Sequence, residues 1–526
     1  MQPDGDTTAQ QNGASPKSSS VLKSAAFMSL GTLVSRILGL VRDLTLYALF
    51  PRVITDAYVV AFRLPNLFRR ILGEGSLAAS FVPLYVDGKE NNMDQARSLA
   101  NSVFSLLAIT TATLSVLGII FMEEVMGFLV SGAAFQSIEG KLELTAHMGR
   151  IMFTFLFFVM NYAFLMSILN AHKKFFLPAL APAMLNVAII ASCFMPAYEL
   201  QGDQLAIGVL VGGFLQLMMV VVPLVKLGEF PKLTANFFHK TVFIFFRNLI
   251  PSMIGMSVLQ ILAIINVNLA SRLPEGSHSY IYLADRLLEF PSSLLSVSLS
   301  VALLPTLSEL WARGEKDNLV ATAHKHLKML FVLSLPSAVG LYIMAEPLIR
   351  LVFERGEFTN EDVLVTASVL QIYALVLIFS GTHRVIVPSF YAMKNTWLPA
   401  CLSGFSVVVH FFVASWAVDN HGLQGLILAT TFTGFLNLVL LMTAFKVYFK
   451  DLGLFPLIKN AVHLAPALVV MGAFCFYTKD FAMENLGKYI GVPLIIAVAA
   501  VLYFFVNKLT KHPEAGLVLN KLLRRR

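Results

Sequence analysis

The chain is built from long apolar blocks, and these blocks decide what it can fold into. Each is about 20 residues or longer, the length that an α-helix needs to cross roughly 30 Å of hydrocarbon. Fourteen blocks are present, at residues 25–50, 54–86, 98–121, 143–170, 175–197, 204–227, 241–271, 279–311, 328–346, 363–391, 396–418, 423–446, 456–477 and 488–509. Only 13% of all residues are charged, about half the usual share in a soluble domain. The sequence predicts an all-α polytopic membrane protein and excludes a soluble enzyme or a disulfide scaffold.

The basic residues indicate how the chain is threaded through the membrane. With the N-terminus in the cytoplasm and alternating spans, clusters such as Lys173–Lys174 and Lys446/Lys450/Lys459 fall on the cytoplasmic side, as the positive-inside rule requires. Fourteen spans then place both termini in the cytoplasm. The net charge of +8 is therefore mainly an orientation signal, and no nucleic-acid partner is expected.

An internal repeat divides the spans into two homologous halves. LPALAPAMLN starting at Leu177 resembles LPACLSGFSV starting at Leu398, an offset of 221 residues, and other short segments match at nearly the same offset. We expect the following organisation: a disordered tail at 1–22, an N-lobe of six spans at 23–230, a C-lobe of six spans at 231–450, two further spans at 451–510 and a basic tail at 511–526. Duplicated halves around a midplane site are the usual scaffold of alternating-access transporters.

Charged residues inside three spans point to a polar cavity. A charge at the centre of a span costs about 2.5–3.5 kcal/mol on insertion scales, so it usually faces a protein-lined cavity. The predicted binding residues are Arg36, Arg42 and Asp43 in span 1, Asp56, Arg63, Arg69, Arg70 and Glu74 in span 2, and Asp285, Arg286 and Glu289 in span 8. Span 10 also carries His383 and Arg384.

Helical phase places most of these charges on common faces. Asp285 and Glu289 share one side of span 8 with three serines, and four of the five charges of span 2 also share one side. Arg42 and Arg69 lie about 100° or more from the stripes of their helices, and Pro65 leaves the direction of Arg69 open. Single arginines could instead snorkel to the headgroups, but anchoring alone does not account for three polar spans.

An arginine-lined cavity suits a phosphate or pyrophosphate group. The planar guanidinium offers paired donors to phosphate oxygens, and a low dielectric strengthens the attraction. Neighbouring carboxylates hold the arginines in place when no anion is bound. An exporter of cationic drugs needs the opposite, a cavity dominated by Asp and Glu. A membrane enzyme needs clustered carboxylates or histidines on a cytoplasmic loop, and the short loops of this chain show no such cluster.

Four motifs in spans 1, 2 and 8 are distinctive: Ser35-Arg-Ile-Leu-Gly-Leu-Val-Arg-Asp43, Thr55-Asp-Ala-Tyr58, Phe62-Arg-Leu-Pro-Asn-Leu-Phe-Arg-Arg70 with Gly73-Glu-Gly75, and Ala284-Asp-Arg-Leu-Leu-Glu-Phe-Pro291. Together they resemble the signature segments of the MurJ/MviN family of lipid II flippases, which belongs to the multidrug/oligosaccharidyl-lipid/polysaccharide exporter superfamily. The resemblance covers nearly the whole chain from about residue 23.

The resemblance implies a fold and a function. It implies two six-helix lobes and two C-terminal helices that form a groove for a polyprenyl tail. It also implies a non-enzymatic transporter that moves lipid II, the undecaprenyl-pyrophosphate disaccharide-pentapeptide, from the inner to the outer leaflet of the bacterial cytoplasmic membrane by alternating access. We expect a monomer whose partners are lipid II, membrane lipids and the peptidoglycan-synthesis machinery. An exporter of another polyprenyl-linked oligosaccharide, or a multidrug exporter of the same superfamily, is the alternative.

The resemblance also implies roles for individual residues. The family's essential arginines match Arg36, Arg42, Arg69 and Arg286, and its acidic partners match Asp43, Asp56, Asp285 and Glu289. No cofactor or bound metal is expected. Family members that bind sodium use an acidic residue on span 7, and this span has no Asp or Glu here. Coupling to the membrane potential, protons or Na+ stays open.

Overall fold

A computed structural model describes residues 18–73, 76–237, 239–449 and 454–523. Within these ranges the chain is almost entirely helical, with short turns between helices and no β-strand. The predicted fold class, an all-α membrane protein, is confirmed.

The helices fall into two series. The first half of the chain forms α1 (Ser18–Leu49), α2 (Arg52–Phe68), α3 (Ser76–Asn91), α4 (Met93–Ile120), α5 (Met122–Leu129), α6 (Ala133–Gln136), α7 (Lys141–Phe153), α8 (Phe155–Ala171), α9 (Phe176–Ser192) and α10 (Asp203–Lys226). A π-helical segment, Arg69–Gly73, continues α2. The second half forms α11 (Lys240–Ala270), α12 (Ser277–Ala312), α13 (Lys316–Ile343), α14 (Ala345–Phe353), α15 (Asn360–Ala374), α16 (Val376–Ala392), α17 (Trp397–Phe449), α18 (Leu454–Leu509) and α19 (Pro513–Leu523).

Several helical segments can cross a membrane. Among the described residues, seven are long and apolar enough: Met93–Ile120, Lys141–Ala171, Asp203–Lys226, Lys316–Ile343, Asn360–Ala392, Trp397–Phe449 and Leu457–Leu509. The last two have 53 residues each, and a straight helix of that length would measure about 80 Å, far more than the hydrocarbon core. Gly422 (φ 57°) and Gly487 (φ 70°) divide each of them into two helices, because glycine adopts a positive φ without strain. The number of fourteen spans stays a prediction.

The two ends of the chain contain more helix than the sequence indicated. α1 begins at Ser18, inside the tail expected at 1–22. Near the other end, the segment expected as a basic tail includes α19, whose Ala515 and Val518 are buried against α13 and α18. Apolar residues at a spacing of three or four form one face of a helix, and a search for membrane-spanning length does not find such a short amphipathic segment.

Close helix packing positions the centre of the molecule. α9 packs between α1 and α10, and α12 packs against α2, α15 and α16. A Cβ atom added at Gly31 would lie 3.1 Å from the backbone of Ala179 and Leu180, so α1 and α9 approach each other closely there. Small residues at helix contacts in membranes permit such an approach.

The helix bounds repeat along the chain at nearly the offset found in the sequence. Phe155–Ala171 and Val376–Ala392 begin and end 221 residues apart, and Met93–Ile120 and Lys316–Ile343 begin and end 223 residues apart. The members of each pair have equal lengths. The two halves therefore use the same sequence of helices and turns.

One turn has the same backbone in both halves. Lys173 follows α8 with φ 58°, and Lys394 follows α16 with φ 60°. In each turn, the next residue donates its N–H to the carbonyl oxygen five residues earlier at 3.0 Å, the pattern of a left-handed helix C-cap. Glycine is the usual residue at this position, so a lysine there carries backbone strain.

Replacing Lys394 by glycine should stabilise the protein. A left-handed backbone costs a residue with a side chain about 1–2 kcal/mol, and the greater freedom of glycine in the unfolded chain offsets part of that gain. We expect a higher midpoint of thermal unfolding in detergent for Lys394→Gly. The control Lys394→Ala keeps a Cβ atom and should gain nothing, so a lower midpoint for glycine than for alanine would contradict the argument.

Candidate functional site

A cavity of about 670 Å³ lies between the two halves of the chain. Helices α1, α2, α8, α9 and α10 form one wall, and α12 and α16 form the other. Its polar lining residues are Arg42, Arg63, Asn66, Arg69, Arg70, Tyr162, Asn186, Gln216, Tyr282, Asp285, Arg286, Glu289, Ser292 and Arg384. Six arginines stand against two carboxylates, so the cavity attracts anions.

One carboxylate, Asp43, joins arginines from the two halves. Its Oδ1 accepts hydrogen bonds from Nε and Nη2 of Arg42 at 2.9 and 2.7 Å, and its Oδ2 accepts one from Nε of Arg286 at 2.9 Å. Asp43 is 1% exposed and Arg42 is 5% exposed. Removing one partner of such a buried pair is far more costly than removing a surface partner. The bridge therefore fixes two guanidinium groups at the cavity wall and ties α1 to α12.

Two uncharged residues complete the surroundings of Arg42. Its Nη1 donates to Oδ1 of Asn186 at 3.1 Å, and its Nη2 donates to the hydroxyl of Tyr282 at 2.8 Å. Asn186 is held in turn, because its Nδ2 donates to the carbonyl oxygen of Ser35 at 3.0 Å. Helical phase did not direct Arg42 toward the cavity. Its long side chain folds across the adjacent Asp43 and reaches the wall.

The arginines after α2 line the cavity where the helix changes its pitch. Pro65 lies within α2 without ending it, and the chain from Arg69 to Gly73 is π-helical. The wider turn changes the directions of the side chains that follow, and both Arg69 and Arg70 line the cavity with Arg63. Nε of Arg69 donates to Oδ1 of Asn66 at 3.0 Å. Single π-helical turns are frequent at functional sites.

Helix α12 supplies the polar stripe of the opposite wall. Asp285, Glu289 and Ser292 line the cavity, and the two further serines of the predicted stripe lie outside the side chains that the structure describes. Nη1 of Arg286 donates to Oε2 of Glu289 at 3.1 Å. A Cβ atom at Gly39 of α1 would lie 2.6 Å from Nη2 of Arg286, so the guanidinium occupies space that this glycine leaves.

Arg36 lines an adjoining cavity of about 390 Å³. Arg286, Glu289, Ser292 and Arg384 border both spaces, so the two are neighbours and Arg36 extends the cationic surface. Glu74, which the sequence placed in the same site, lies outside the described residues.

Asp56 lines neither cavity, in contrast to the expectation from helical phase. Its Oδ2 accepts from Nζ of Lys141 at 2.9 Å and from the N–H of Gly276 at 2.7 Å, and its Oδ1 accepts from the N–H and hydroxyl of Ser279 at 3.0 and 2.7 Å. Asp56 precedes Arg63 by two helical turns, about 10 Å. It shares a helix side with the cavity residues but lies beyond them, where it caps the N-terminus of α12.

Further contacts join the two halves at this end of the molecule. Nε of Arg52 lies 2.7 Å from Oδ1 of Asp362, and the hydroxyl of Tyr280 donates to the same oxygen at 2.7 Å. The N–H of Glu357 donates to the carbonyl oxygen of Ala48 at 3.0 Å. The halves are therefore held together at the end that the predicted topology places outside the cell.

Sequence analysis based on charge missed the uncharged members of the site. Asn186, Tyr282, Gln216 and Tyr162 line the cavity, and each is a single polar residue in an apolar span. Arg384 was noticed as an intramembrane charge but was not assigned to the site. The signal that could have found them is a lone amide or hydroxyl within a span, since such groups need a partner in hydrocarbon.

Fold and cavity together define a class of protein: a multi-pass membrane transporter, built from two similar halves, whose central cavity accepts an anion. Its family is clear from comparison with known proteins. The family described as lipid II flippase MurJ matches residues 46–497, and the chain belongs to this family. As a member, it is a multi-pass protein of the inner membrane.

Curated relatives support the same assignment. The chain is 44% identical over 496 residues to a "Probable lipid II flippase MurJ" of Bdellovibrio bacteriovorus, with 92% of this chain and 94% of the relative covered. It is 35% identical over 376 residues to the "Lipid II flippase MurJ" of Burkholderia cenocepacia, with 70% and 72% covered.

Solved structures show the same fold. A structure titled "Lipid II flippase MurJ, inward closed conformation" matches with a TM-score of 0.77 and 26% identity, covering 94% of this chain and 99% of that one. An inward-facing multidrug resistance MATE family transporter matches with a TM-score of 0.67 and 14% identity, covering 79% and 94%. The second likeness concerns the fold alone.

Replacing Asp43 by alanine should destabilise the protein strongly. Two guanidinium groups lose their shared counter-charge, and breaking a buried pair typically costs about 3–5 kcal/mol. The control Glu289→Ala removes a carboxylate that is 59% exposed, and surface pairs contribute about 0–1 kcal/mol. The measurement is unfolding of the purified protein in detergent. Added pyrophosphate should restore part of the stability of Asp43→Ala, and equal losses in both variants would contradict the assigned role of Asp43.

Proposed function

We propose that this protein is a lipid II flippase that carries undecaprenyl-pyrophosphate-linked peptidoglycan precursor from the inner to the outer leaflet of the bacterial cytoplasmic membrane. The observation that carries the proposal is a cluster of six arginines around one central cavity in a chain of the MurJ family. Guanidinium groups bind phosphate oxygens through paired, charge-assisted hydrogen bonds. The protein acts as a transporter and not as an enzyme.

Substrate binding begins at the arginines of the central bridge. The side chain of Arg286 is 26% exposed, whereas that of Arg42 is 6% exposed. Arg286 is therefore the partner that a pyrophosphate can draw away from Asp43, while Arg42 stays anchored by Asn186 and Tyr282. Arg36 and Arg69 add donors from the two ends of the cationic surface. The carboxylate of Asp43 holds the arginines in position before the anion arrives.

Exchange of partners at Arg286 couples binding to movement. The contact between Asp43 and Arg286 ties α1 to α12, so its loss loosens the connection between the N-lobe at 23–230 and the C-lobe at 231–450. A ligand shifts a conformational equilibrium only by binding one state more tightly than the other. The pyrophosphate meets that requirement if its arginines converge in one state alone. The polyprenyl tail stays in lipid along the helices of residues 451–510.

The surroundings of the protein follow from the proposed topology. Both termini lie in the cytoplasm, and the contacts of Asp56 and Arg52 close the cavity on the external side. The protein works as a monomer, with lipid II and membrane lipids as its ligands and the peptidoglycan-synthesis machinery as its protein partner. Cationic drugs are poor substrates because arginines outnumber carboxylates around the cavity. Another undecaprenyl-linked oligosaccharide is the remaining alternative.

Alanine in place of Arg42 or Arg286 should abolish flipping while leaving the protein in the membrane. Each change removes a guanidinium that meets the pyrophosphate, and charge-assisted hydrogen bonds contribute about 1.5–3 kcal/mol each. The measurement is growth of flippase-depleted cells that express each variant, with membrane levels checked by immunoblot. The matched control is Arg313→Ala, whose side chain is 61% exposed and lies outside the cavity.

Two results would overturn the proposal. One is normal growth of the Arg42 and Arg286 variants. The other is accumulation, on depletion of the wild-type protein, of a lipid-linked sugar other than lipid II in the inner leaflet, which would favour the alternative substrate.

A further inference from the structure

A histidine lies at the centre of a polar cluster in the second half of the chain, outside the arginine cavity. His410 of α17 is 0% exposed. Its Nδ1 lies 2.9 Å from Oγ1 of Thr433, and its Nε2 lies 2.7 Å from Oδ1 of Asn266. Asn266 belongs to α11, and Thr433 follows the break in α17 at Gly422. Three helical segments therefore meet at one ionisable group.

The neighbours of the ring decide which nitrogen carries hydrogen. The hydroxyl of Thr430 donates to the carbonyl oxygen of Leu426 at 2.9 Å, so it accepts from Nδ2 of Asn266 at 3.4 Å. This contact assigns Oδ1 of Asn266 to the side of the histidine. Because a carbonyl oxygen is an acceptor only, Nε2 of His410 is a donor in either protonation state.

Thr433 makes the other nitrogen compatible with two protonation states. Its hydroxyl oxygen lies 2.8 Å from the carbonyl oxygen of Ala429 and 2.9 Å from Nδ1 of His410. When the imidazole is neutral, the hydroxyl donates to Nδ1. When Nδ1 is protonated, it donates to the hydroxyl oxygen, and the hydroxyl hydrogen turns to Ala429. Rotation of one hydroxyl therefore gives both ring nitrogens a partner with or without the extra proton.

The groups that face His410 are uncharged. It faces the amide of Asn266 from α11 and the hydroxyl of Thr433 from the second part of α17. In the parts of α11, α15, α16 and α17 that the structure describes, no Asp, Glu, Lys or Arg forms a salt bridge or hydrogen bond with it. Apolar residues such as Leu269 and Ala414 form the adjoining core. A proton bound here is thus the one formal charge of the cluster.

Burial of an ionisable side chain within membrane spans is expensive, and such residues mark ion pathways and proton relays in transporters. A histidine that only filled space between helices would not need neighbours that suit both of its protonation states. The cluster has that property through Thr433 and Asn266, and water reaches the enclosed ring only if α11 or one part of α17 moves.

We propose that His410 is a proton-binding site through which the C-terminal half couples the transport cycle to a proton gradient. This inference rests on the proposed function, since the coupled process is the movement of lipid II. Nδ1 takes a proton from water on one side of the membrane and returns it to water on the other side, and the N–H bond is the one bond that forms and breaks. A proton bound more tightly in one conformation biases the equilibrium between the two.

The variant His410→Gln tests the proposal, because glutamine keeps a donor and an acceptor but cannot ionise. Full-length protein is reconstituted in liposomes with lipid II, and the membrane potential is clamped. A gradient of about one pH unit should change the wild-type translocation rate by up to about tenfold with its direction. His410→Gln should give equal rates in both directions. The matched control is His421→Gln, an exposed histidine of the same helix, which should behave as wild type.

The outcomes separate this inference from the proposed function. If His410→Gln responds to the gradient as wild type does, or if the wild type ignores the gradient, the proton site is overturned while transport of lipid II stands. If the wild-type protein moves no lipid II in any gradient, the proposed function fails instead.

A second measurement does not depend on transport. Nitrogen NMR of histidine-labelled protein in lipid nanodiscs identifies His410 by the signals lost in His410→Gln or, should that variant not fold, in His410→Asn. We expect a neutral ring with hydrogen on Nε2 at the alkaline end of the range and a doubly protonated ring at the acid end. A ring that stays neutral from about pH 5 to pH 9, the range in which exposed histidine ionises, overturns the proton site.

Discussion

Contact between Asp43 and the two arginines that share it is the interaction on which the cavity depends. Without this carboxylate, Arg42 and Arg286 would be like charges facing each other across α1 and α12 in a poorly hydrated space, where repulsion is strong. With it, both guanidinium groups are held in the positions that an anion requires. The same atoms therefore stabilise the empty cavity and compete with its ligand, which makes binding and lobe movement parts of one exchange.

The sequence predicted the fold class because apolar blocks of spanning length leave an α-helical membrane protein as the solution. It also predicted most of the cavity, since a charge within a span has few other places to lie. It could not predict Asn186 or Tyr282, whose importance comes from a partner 144 or 240 residues away in the chain. Asp56 was misplaced because helical phase reports the side of a helix and not the depth along it.

The two halves share their helices and turns but not their chemistry. Arginines of the cavity lie mainly in the first half, on α1, α2 and the π-helical segment that follows, and Arg286 and Arg384 come from the second. The second half instead holds the uncharged cluster around His410. Duplication thus supplied two equivalent scaffolds, and substitutions within the spans gave each of them a different polar interior. Such a division allows substrate and driving ion to act on separate parts of one moving body.

The glycine that faces Arg286 shows how far a transporter can depend on a position without a side chain. At Gly39, one added methyl group would meet Nη2 of Arg286 at 2.6 Å and push the guanidinium away from its carboxylate. No charge would change, yet the electrostatic arrangement of the cavity would. A mutational survey confined to ionisable residues would pass over this position, and a variant of the protein with an intact set of arginines could still have lost its binding geometry.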